Sequence, residues 1–313
     1  MLTYVLRRLV GMFLVMLIVA AVVFVIARVI PGDPAAVMLG SAATPEDVAA
    51  LRTRMGLDQP FLTQFALYLK QIVTFDLGDS IFLNRPVTQA LAERAELTTF
   101  LTLMSVGIAV IIGVPIGIVS AVKRGRLVDQ GTVALAMLAA SVPSFWIGLT
   151  LIRYLAVDVN WFPVAGYGPP DASLIERLHH LVLPAIALGI PNSALILRFT
   201  RTSMLDVMNE DYVRTARAKG LPPLTVILKH ALRNALIPIL TIIGLTIAVM
   251  IAGAIVTETV FGLPGVGNLV VSAVLRRDYP VIQGALLVVS GLYVLINLAV
   301  DLLYAVVDPR VRY

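Results

Sequence analysis

Charged side chains embedded in apolar sequence are where this chain could do chemistry, and they are few. Asp301 and Glu258 fall in long apolar stretches, but toward their ends; Arg28 and Arg153 sit near ends from which a long side chain can snorkel to water. A proton-coupled carrier needs acidic or histidine groups near the bilayer midplane, and no carboxylate stands at the centre of a stretch. For Asp301 and Glu258, pairing at a helix end or interfacial exposure competes with a transport role. Other chemistries lack their residues. With no cysteine there is no disulfide, thiolate metal site or cysteine nucleophile. Three histidines, two of them the adjacent pair His179-His180 and the third His230, argue against a histidine metal site. There is no G-x-x-x-x-G-K-[ST] loop for nucleotide, no H-E-x-x-H and no G-x-S-x-G; Gly265-Val266-Gly267 lacks the third glycine and flanking strand of a dinucleotide site. The chain is expected to be no enzyme, with no metal or cofactor bound by its own residues.

The most informative segment is 198–234. Met204, Val207, Met208, Tyr212 and Ala216 recur at helical spacing, which predicts an amphipathic helix at a membrane surface. Gly220 supplies a helix C-terminus, with Lys219 in the last turn and Pro222-Pro223 beyond it. A second helix is expected to start at Pro223 and run through His230, Arg233 and Asn234. Such a rigid pair reads either as an interfacial helix held by anionic lipid or as a docking element for a cytosolic partner.

The elements that must position these residues follow from composition. Of 313 residues, 59% are hydrophobic and 14% charged, and mean hydropathy is +0.93. Soluble domains carry about 45–50% apolar and about 25% charged residues, so the bilayer is the solvent for much of this surface. Six stretches are long enough to cross: 9–30, 97–122, 131–157, 181–197, 235–257 and 280–307. The fourth is the shortest and contains Pro184 and Pro191. Pro115, Pro143 and Pro238 recur in other spans, and Gly113 and Gly117 form a GxxxG suited to close helix packing. The first stretch, behind Arg7-Arg8, is too long for a signal-peptide core and is read as a retained anchor.

Charge sets the orientation. With the N-terminus inside, segments 1–8, 123–130, 198–234 and 308–313 hold 14 of the 24 basic residues, while outer segment 31–96 has eight acidic residues against five basic. Both termini are therefore cytoplasmic, and the net charge of +5 reflects the positive-inside bias rather than nucleic acid. Segment 31–96 reads as a cap of short helices, 158–180 as an irregular outer loop and 258–279 as a glycine-rich outer loop. The organisation is thus 1–30, the N-terminal tail and first span; 31–96, the extracytoplasmic helical region; and 97–313, a five-helix core carrying the cytoplasmic loop 198–234.

Asp211-Tyr212-Val213-Arg214-Thr215-Ala216-Arg217-Ala218-Lys219-Gly220 resembles the cytoplasmic coupling loop of ABC importer permeases. Aligned on Gly220, Arg214-Thr215-Ala216 stands where the general pattern has Glu-Ala-Ala, so the second Ala and the Gly match; the downstream Pro is displaced to Pro238. Three further blocks are similar to the dipeptide/oligopeptide/nickel branch, in the first of its two permease subunits. They are Arg28-Val29-Ile30-Pro31-Gly32-Asp33-Pro34; Met55-Gly56-Leu57-Asp58-Gln59-Pro60 with Asp76-Leu77-Gly78; and Glu258 through Gly267 with Arg277-Asp278-Tyr279-Pro280 and Asp308-Pro309-Arg310. The resemblance spans essentially the whole chain.

That resemblance implies an all-α, six-span permease of type I ABC importer architecture in a bacterial inner membrane. It implies a second homologous permease, two cytosolic ATPase subunits that carry ATP and Mg, an extracytoplasmic substrate-binding protein, and no nucleic acid. Asp211, Tyr212, Arg214, Thr215, Ala216, Lys219, Gly220 and Leu221 are expected at the ATPase contact. Glu258, Phe261, Pro264, Gly265 and Gly267 are expected in a re-entrant or gate-like outer loop, with structural packing as the other reading; Pro31 to Pro34 would shape the exit from span one. Peptide import is the implied function, with glutathione or nickel-chelate import as variants within the family. A self-sufficient carrier or channel is the rival from another class, and a membrane scaffold a third reading. The substrate-contacting residues stay open at this point.

Overall fold

The computed structural model describes residues 2–29, 34–40, 43–54, 56–80 and 82–307. The motif residues Ile30-Pro31-Gly32-Asp33, Met55 and Asp308-Pro309-Arg310 lie outside them. In chain order the elements are α1 (Leu2–Val29), α2 (Pro34–Leu39), α3 (Pro45–Arg54), α4 (Phe61–Val73), β1 (Asp79–Ser80), β2 (Arg85–Pro86), α5 (Val87–Val122), α6 (Leu127–Ser141) and α7 (Ser144–Leu151), which continues as a π-helix over Ile152–Asp158. Then follow α8 (Leu174–Met208), α9 (Asp211–Ala218), α10 (Pro223–Thr225) with a second π-helix at Val226–Leu232, α11 (Arg233–Val260), α12 (Val266–Arg276) and α13 (Tyr279–Val307). Among the described residues five helical runs are long and apolar enough to cross a bilayer, and α6 with α7 and its π-helix makes a sixth when the bent pair is taken as one span.

Four local readings of the sequence change. The third span is not straight: its halves meet at 91°. Pro143 has no N–H to give the ladder and pushes the residue before it out of the helical region; Val142 accordingly sits at φ −89, ψ 124. The fourth span, expected over 181–197, is a 35-residue helix that runs through Pro184 and Pro191. Its start, inside the expected outer loop, is a capping box: Ser173 Oγ accepts from the Glu176 N–H at 3.3 Å, and the Ser173 N–H donates back to the Glu176 carboxylate at 2.8 Å. Residues 258–279, expected to be loop, contain α12, whose Val266, Leu269 and Ala273 are buried at helical spacing. The second span also begins earlier than 97, because α5 starts at Val87.

Contacts divide the chain into two compact units. The first comprises 1–96 and 265–295. Near the outer end of α1, Phe24 is fully buried and packs edge-on against Phe61 and Phe65 of α4, with ring centroids 5.2 and 5.1 Å apart. A short antiparallel ribbon, β1 with β2, leads into α5, and Val87, Ala90 and Leu91 there form a core with Val266, Leu269, Ala273, Val281 and Ala285. Asp278, buried ahead of α13, accepts from Ser80 Oγ at 2.6 Å.

The second unit comprises 97–264 and 296–313 and is built around α8. Leu181, Leu183, Leu188 and Ile196 of α8 share a core with Leu97 and Leu101 of α5 and with Met250 and Ala254 of α11. The GxxxG lets α5 lie directly on α8. A Cβ on Gly113 would stand 2.8 Å from the Ser193 carbonyl oxygen, and one on Gly117 would stand 2.7 Å from that of Leu197. Side-chain rearrangement cannot relieve backbone contacts of that kind, so glycine is required at both positions.

Candidate functional site

At the cytoplasmic end of the second unit, α9 and the turns on either side of it are built from residues close in sequence. The single amphipathic helix expected through Met204 and Ala216 is two helices. Met204, Val207 and Met208 close α8, and α9 starts afresh after Asn209 and Glu210, where Glu210 adopts extended geometry (φ −68, ψ 148). Within α9, Asp211 in the first turn and Arg217 in the last complement the helix dipole. Arg214 is ion-paired with Asp211, and Thr215 Oγ1 donates to the Asp211 carbonyl at 2.9 Å.

The turn after α9 has one definite geometry. The Gly220 N–H donates to the Arg217 carbonyl at 3.0 Å and the Leu221 N–H to that of Ala216 at 3.4 Å, the paired bonds of a Schellman C-cap. Gly220 has φ +72, and a Cβ there would meet nothing within 4 Å. Glycine is therefore used for its left-handed backbone and not for room. Pro222 then caps α10, with Pro223 at its first position, so the second helix starts where the sequence placed it.

One face of α9 is an anchor and the other is open. Val213 and Ala216 are buried with Val226 of the π-helix, and Val207 of α8 packs against them. Asn234 Nδ2 donates to Tyr212 Oη at 2.8 Å and to the His230 carbonyl at 3.0 Å, which joins α9 to the start of α11. Left exposed are Asp211, Tyr212, Arg214, Thr215, Arg217, Ala218, Lys219, Gly220 and Leu221, and further along the chain Leu224 (66% exposed) and Leu228. Apolar side chains together with Arg217, Lys219 and the Arg214–Asp211 ion pair form a surface suited to a protein partner with an apolar cleft and an acidic rim.

The cytoplasmic end of this unit also holds a charged cluster that the sequence did not reveal. Asp129, at the start of α6, is buried and accepts from Arg201 Nε at 2.7 Å, Arg201 Nη2 at 2.8 Å, Ser120 Oγ at 2.5 Å and the Gly125 N–H at 2.9 Å. These donors come from α5, the turn after it, and α8. Met204, one turn below Arg201, is fully buried with Ala121, Ala231, Ala235 and Ile239. The only sequence signal was an acidic residue in a basic inner loop, whose mate lies 72 positions away.

At the outer end, Glu258 in the last turn of α11 is fully buried and accepts from Thr98 Oγ1 at 2.7 Å. Its carbonyl receives the Leu263 N–H at 2.8 Å, closing a tight turn. Phe261 is buried, and its carbonyl accepts from the Gly166 N–H at 2.9 Å. Pro264 is exposed; Gly265, which precedes α12, and Gly267 within it are buried and belong to the first unit. Asp301 is half-buried on α13. The His pair has structural partners: His180 Nδ1 lies 3.0 Å from the Gly166 carbonyl, and the His179 ring packs on Phe162. No cluster of metal-ligating side chains occurs among the described residues.

The chain as a whole has known relatives. Residues 113–313 match the family described as binding-protein-dependent transport system inner membrane component, and residues 1–102 match the N-terminal model of such membrane components. The chain is 45% identical over 310 residues to a probable peptide ABC transporter permease of Sinorhizobium fredii, covering 99% of each. It is 43% identical to a putative peptide transport system permease of Brucella abortus, over 99% of this chain and 98% of that one. Identity is also 43% to the glutathione transport system permease of Salmonella choleraesuis, over the full length of both. In structure it is similar to a chain of the MetNI methionine ABC transporter (TM-score 0.58, 19% identity), covering 70% of this chain and 97% of that one.

Proposed function

Because this chain belongs to the family of inner membrane components of binding-protein-dependent transport systems, we propose that it forms one half of a pathway importing short peptides. It is a multi-pass inner-membrane permease subunit of an ABC importer. The cargo assignment rests on peptide permeases at 45% and 43% identity over nearly the whole chain. The glutathione permease at 43% fits the same class, since glutathione is itself a short peptide.

The observation that carries the mechanism is the mounting of α9. Its buried face is locked to α8 and the π-helix, its Tyr212 to the start of α11, and its apolar and cationic face is open. Asp211 to Leu221 thus make a lever that a cytosolic ATPase subunit can seize. Closure of an ATPase dimer, with ATP and Mg held on those subunits, displaces α9 and with it α8 and α11. The pathway, shared with a second homologous permease, then opens outward to receive peptide from an extracytoplasmic binding protein. Hydrolysis releases the lever and returns the inward-open state, so only interactions that differ between the two states drive the cycle. In this reading Glu258, Phe261 and Pro264, at the outer end of the second unit, form the outer gate. This chain itself catalyses nothing.

Affinity purification of the tagged chain from its native locus in mild detergent tests the reading. A second six-span permease and ATPase subunits with vanadate-sensitive hydrolysis, stimulated by a peptide-loaded binding protein, are expected. A homo-oligomer without ATPase, under conditions that preserve a known importer, would instead mean a self-sufficient carrier or channel.

A further inference from the structure

We propose that α4 is an outer-leaflet lipid anchor, lying in the membrane interface with one stripe on α1 and a second in the acyl-chain boundary. The inference requires only that α1 crosses the bilayer and is independent of the ATPase and cargo readings.

Two apolar stripes run along α4. Phe61, Phe65, Tyr68 and Ile72 recur at helical spacing, and the rings of the first three pack around Phe24 of α1. Leu62, Ala66, Leu69 and Val73 form a second stripe about 100° further round the helix, at about 100° per residue. Its two end residues are open: Leu62 is 78% exposed and Val73 77%, and Ala66 between them is exposed too. Thr63, Leu67, Lys70 and Thr74 follow on the next face and are exposed.

Depth decides what covers the second stripe. Arg28 is the first charged residue after the apolar residues that begin at 9, and Phe24 lies four residues before it. At 1.5 Å per residue this is about 6 Å below the level of that charge. A helix pinned there by three rings sits at the headgroup–acyl boundary, where interfacial amphipathic helices bury an apolar face by about 5–10 Å. The positive-inside orientation makes this the outer leaflet. A water-soluble partner would have to reach beneath the headgroups to cover Leu62 and Val73, whereas acyl chains are already at that level. Lys70, on the neighbouring face, has a stem long enough to carry its ammonium to the phosphates.

The absence of cysteine makes the test direct. Single cysteines at Leu62, Val73 and Lys70 of the full chain are spin-labelled, and the chain is reconstituted into vesicles of phosphatidylethanolamine and phosphatidylglycerol, alone and with its co-purifying subunits. At 62 and 73 the collision rate with oxygen, which partitions into lipid, should exceed that with a water-soluble nickel chelate severalfold, with the reverse at 70. Nickel accessibility at 62 and 73 equal to that at 70 would place the stripe in water and overturn the proposal. Immobilised labels shielded from both reagents would show a protein covering it and overturn it equally. Ala66→Cys, at the middle of the stripe, repeats the reading should either end variant fail to insert.

Discussion

Arg201 grips Asp129 through two parallel hydrogen bonds, Nε to Oδ1 and Nη2 to Oδ2, and so fastens the start of α6 to the cytoplasmic half of α8. Both side chains are largely buried, and Ser120 with the Gly125 N–H completes the carboxylate's shell. Removing one partner strands a charge that has been taken out of water.

Arg201→Met should therefore cost about 3 kcal/mol or more, since breaking a buried pair from one side does so typically. Arg201→Lys should recover only part of this, because an ammonium cannot make the two-pronged contact. Thermal unfolding of the purified chain, followed by intrinsic fluorescence, should rank wild type above Lys above Met. Equal midpoints for all three would show that the pair carries no stability.

Gly220 needs its positive φ and not space. Gly220→Asn should keep most transport, because asparagine tolerates the left-handed region, while Gly220→Val should lose it with membrane insertion unchanged. The strain is about 1–2 kcal/mol, falling on the turn alone. Peptide-dependent growth of an auxotroph reports transport, and membrane fractionation reports insertion; normal growth with valine would remove the turn from the mechanism.

On the open face of α9 and α10, Leu224→Asp should reduce recovery of ATPase subunits at least tenfold, because a central apolar contact at an interface is often worth about 2 kcal/mol. Lys229→Ala nearby should change recovery little. Quantitative pull-down from solubilised membranes distinguishes them, and equal recovery would put the docking surface elsewhere.

Gly117→Leu should separate α5 from α8. Its side chain would begin 2.7 Å from the Leu197 carbonyl oxygen and the Thr200 Cβ, a distance that no rotamer relieves. The expected result is protease sensitivity at the cytoplasmic end, whereas Gly107→Leu, with no atom within 4 Å of its added Cβ, should leave protection intact.

What was legible in the sequence was the local punctuation and the period. Gly220 with Pro222-Pro223 located the end of α9 and the start of α10, and Gly113 with Gly117 foretold a close helix contact that α8 supplies. Local reading failed where long-range partners decide. Pro143 within a long apolar stretch gives no local sign of whether the span stays straight, and its halves meet at 91°. Ser173-Leu174-Ile175-Glu176 carries a full capping signal, but the glycine and proline around it disguise the start of α8. The Asp129–Arg201 pair had no local signal, because each residue alone looks like ordinary loop charge. Glu258 was visible as a carboxylate near a span end, but its complete burial against Thr98 depends on α5 passing alongside.

The seven π-helical residues between α10 and α11 fix a phase as well as a connection. A π-helix holds about one residue more than an α-helix of the same height, and each residue of an α-helix turns the chain by about 100°. Deleting one residue from 226–232 would let the segment relax into α-helix with every span intact, yet swing the exposed face of α9 by roughly a third of a turn relative to α11. The direction in which this permease presents itself to the cytosol is thus written as a residue count, and a single codon would be enough to misaim it.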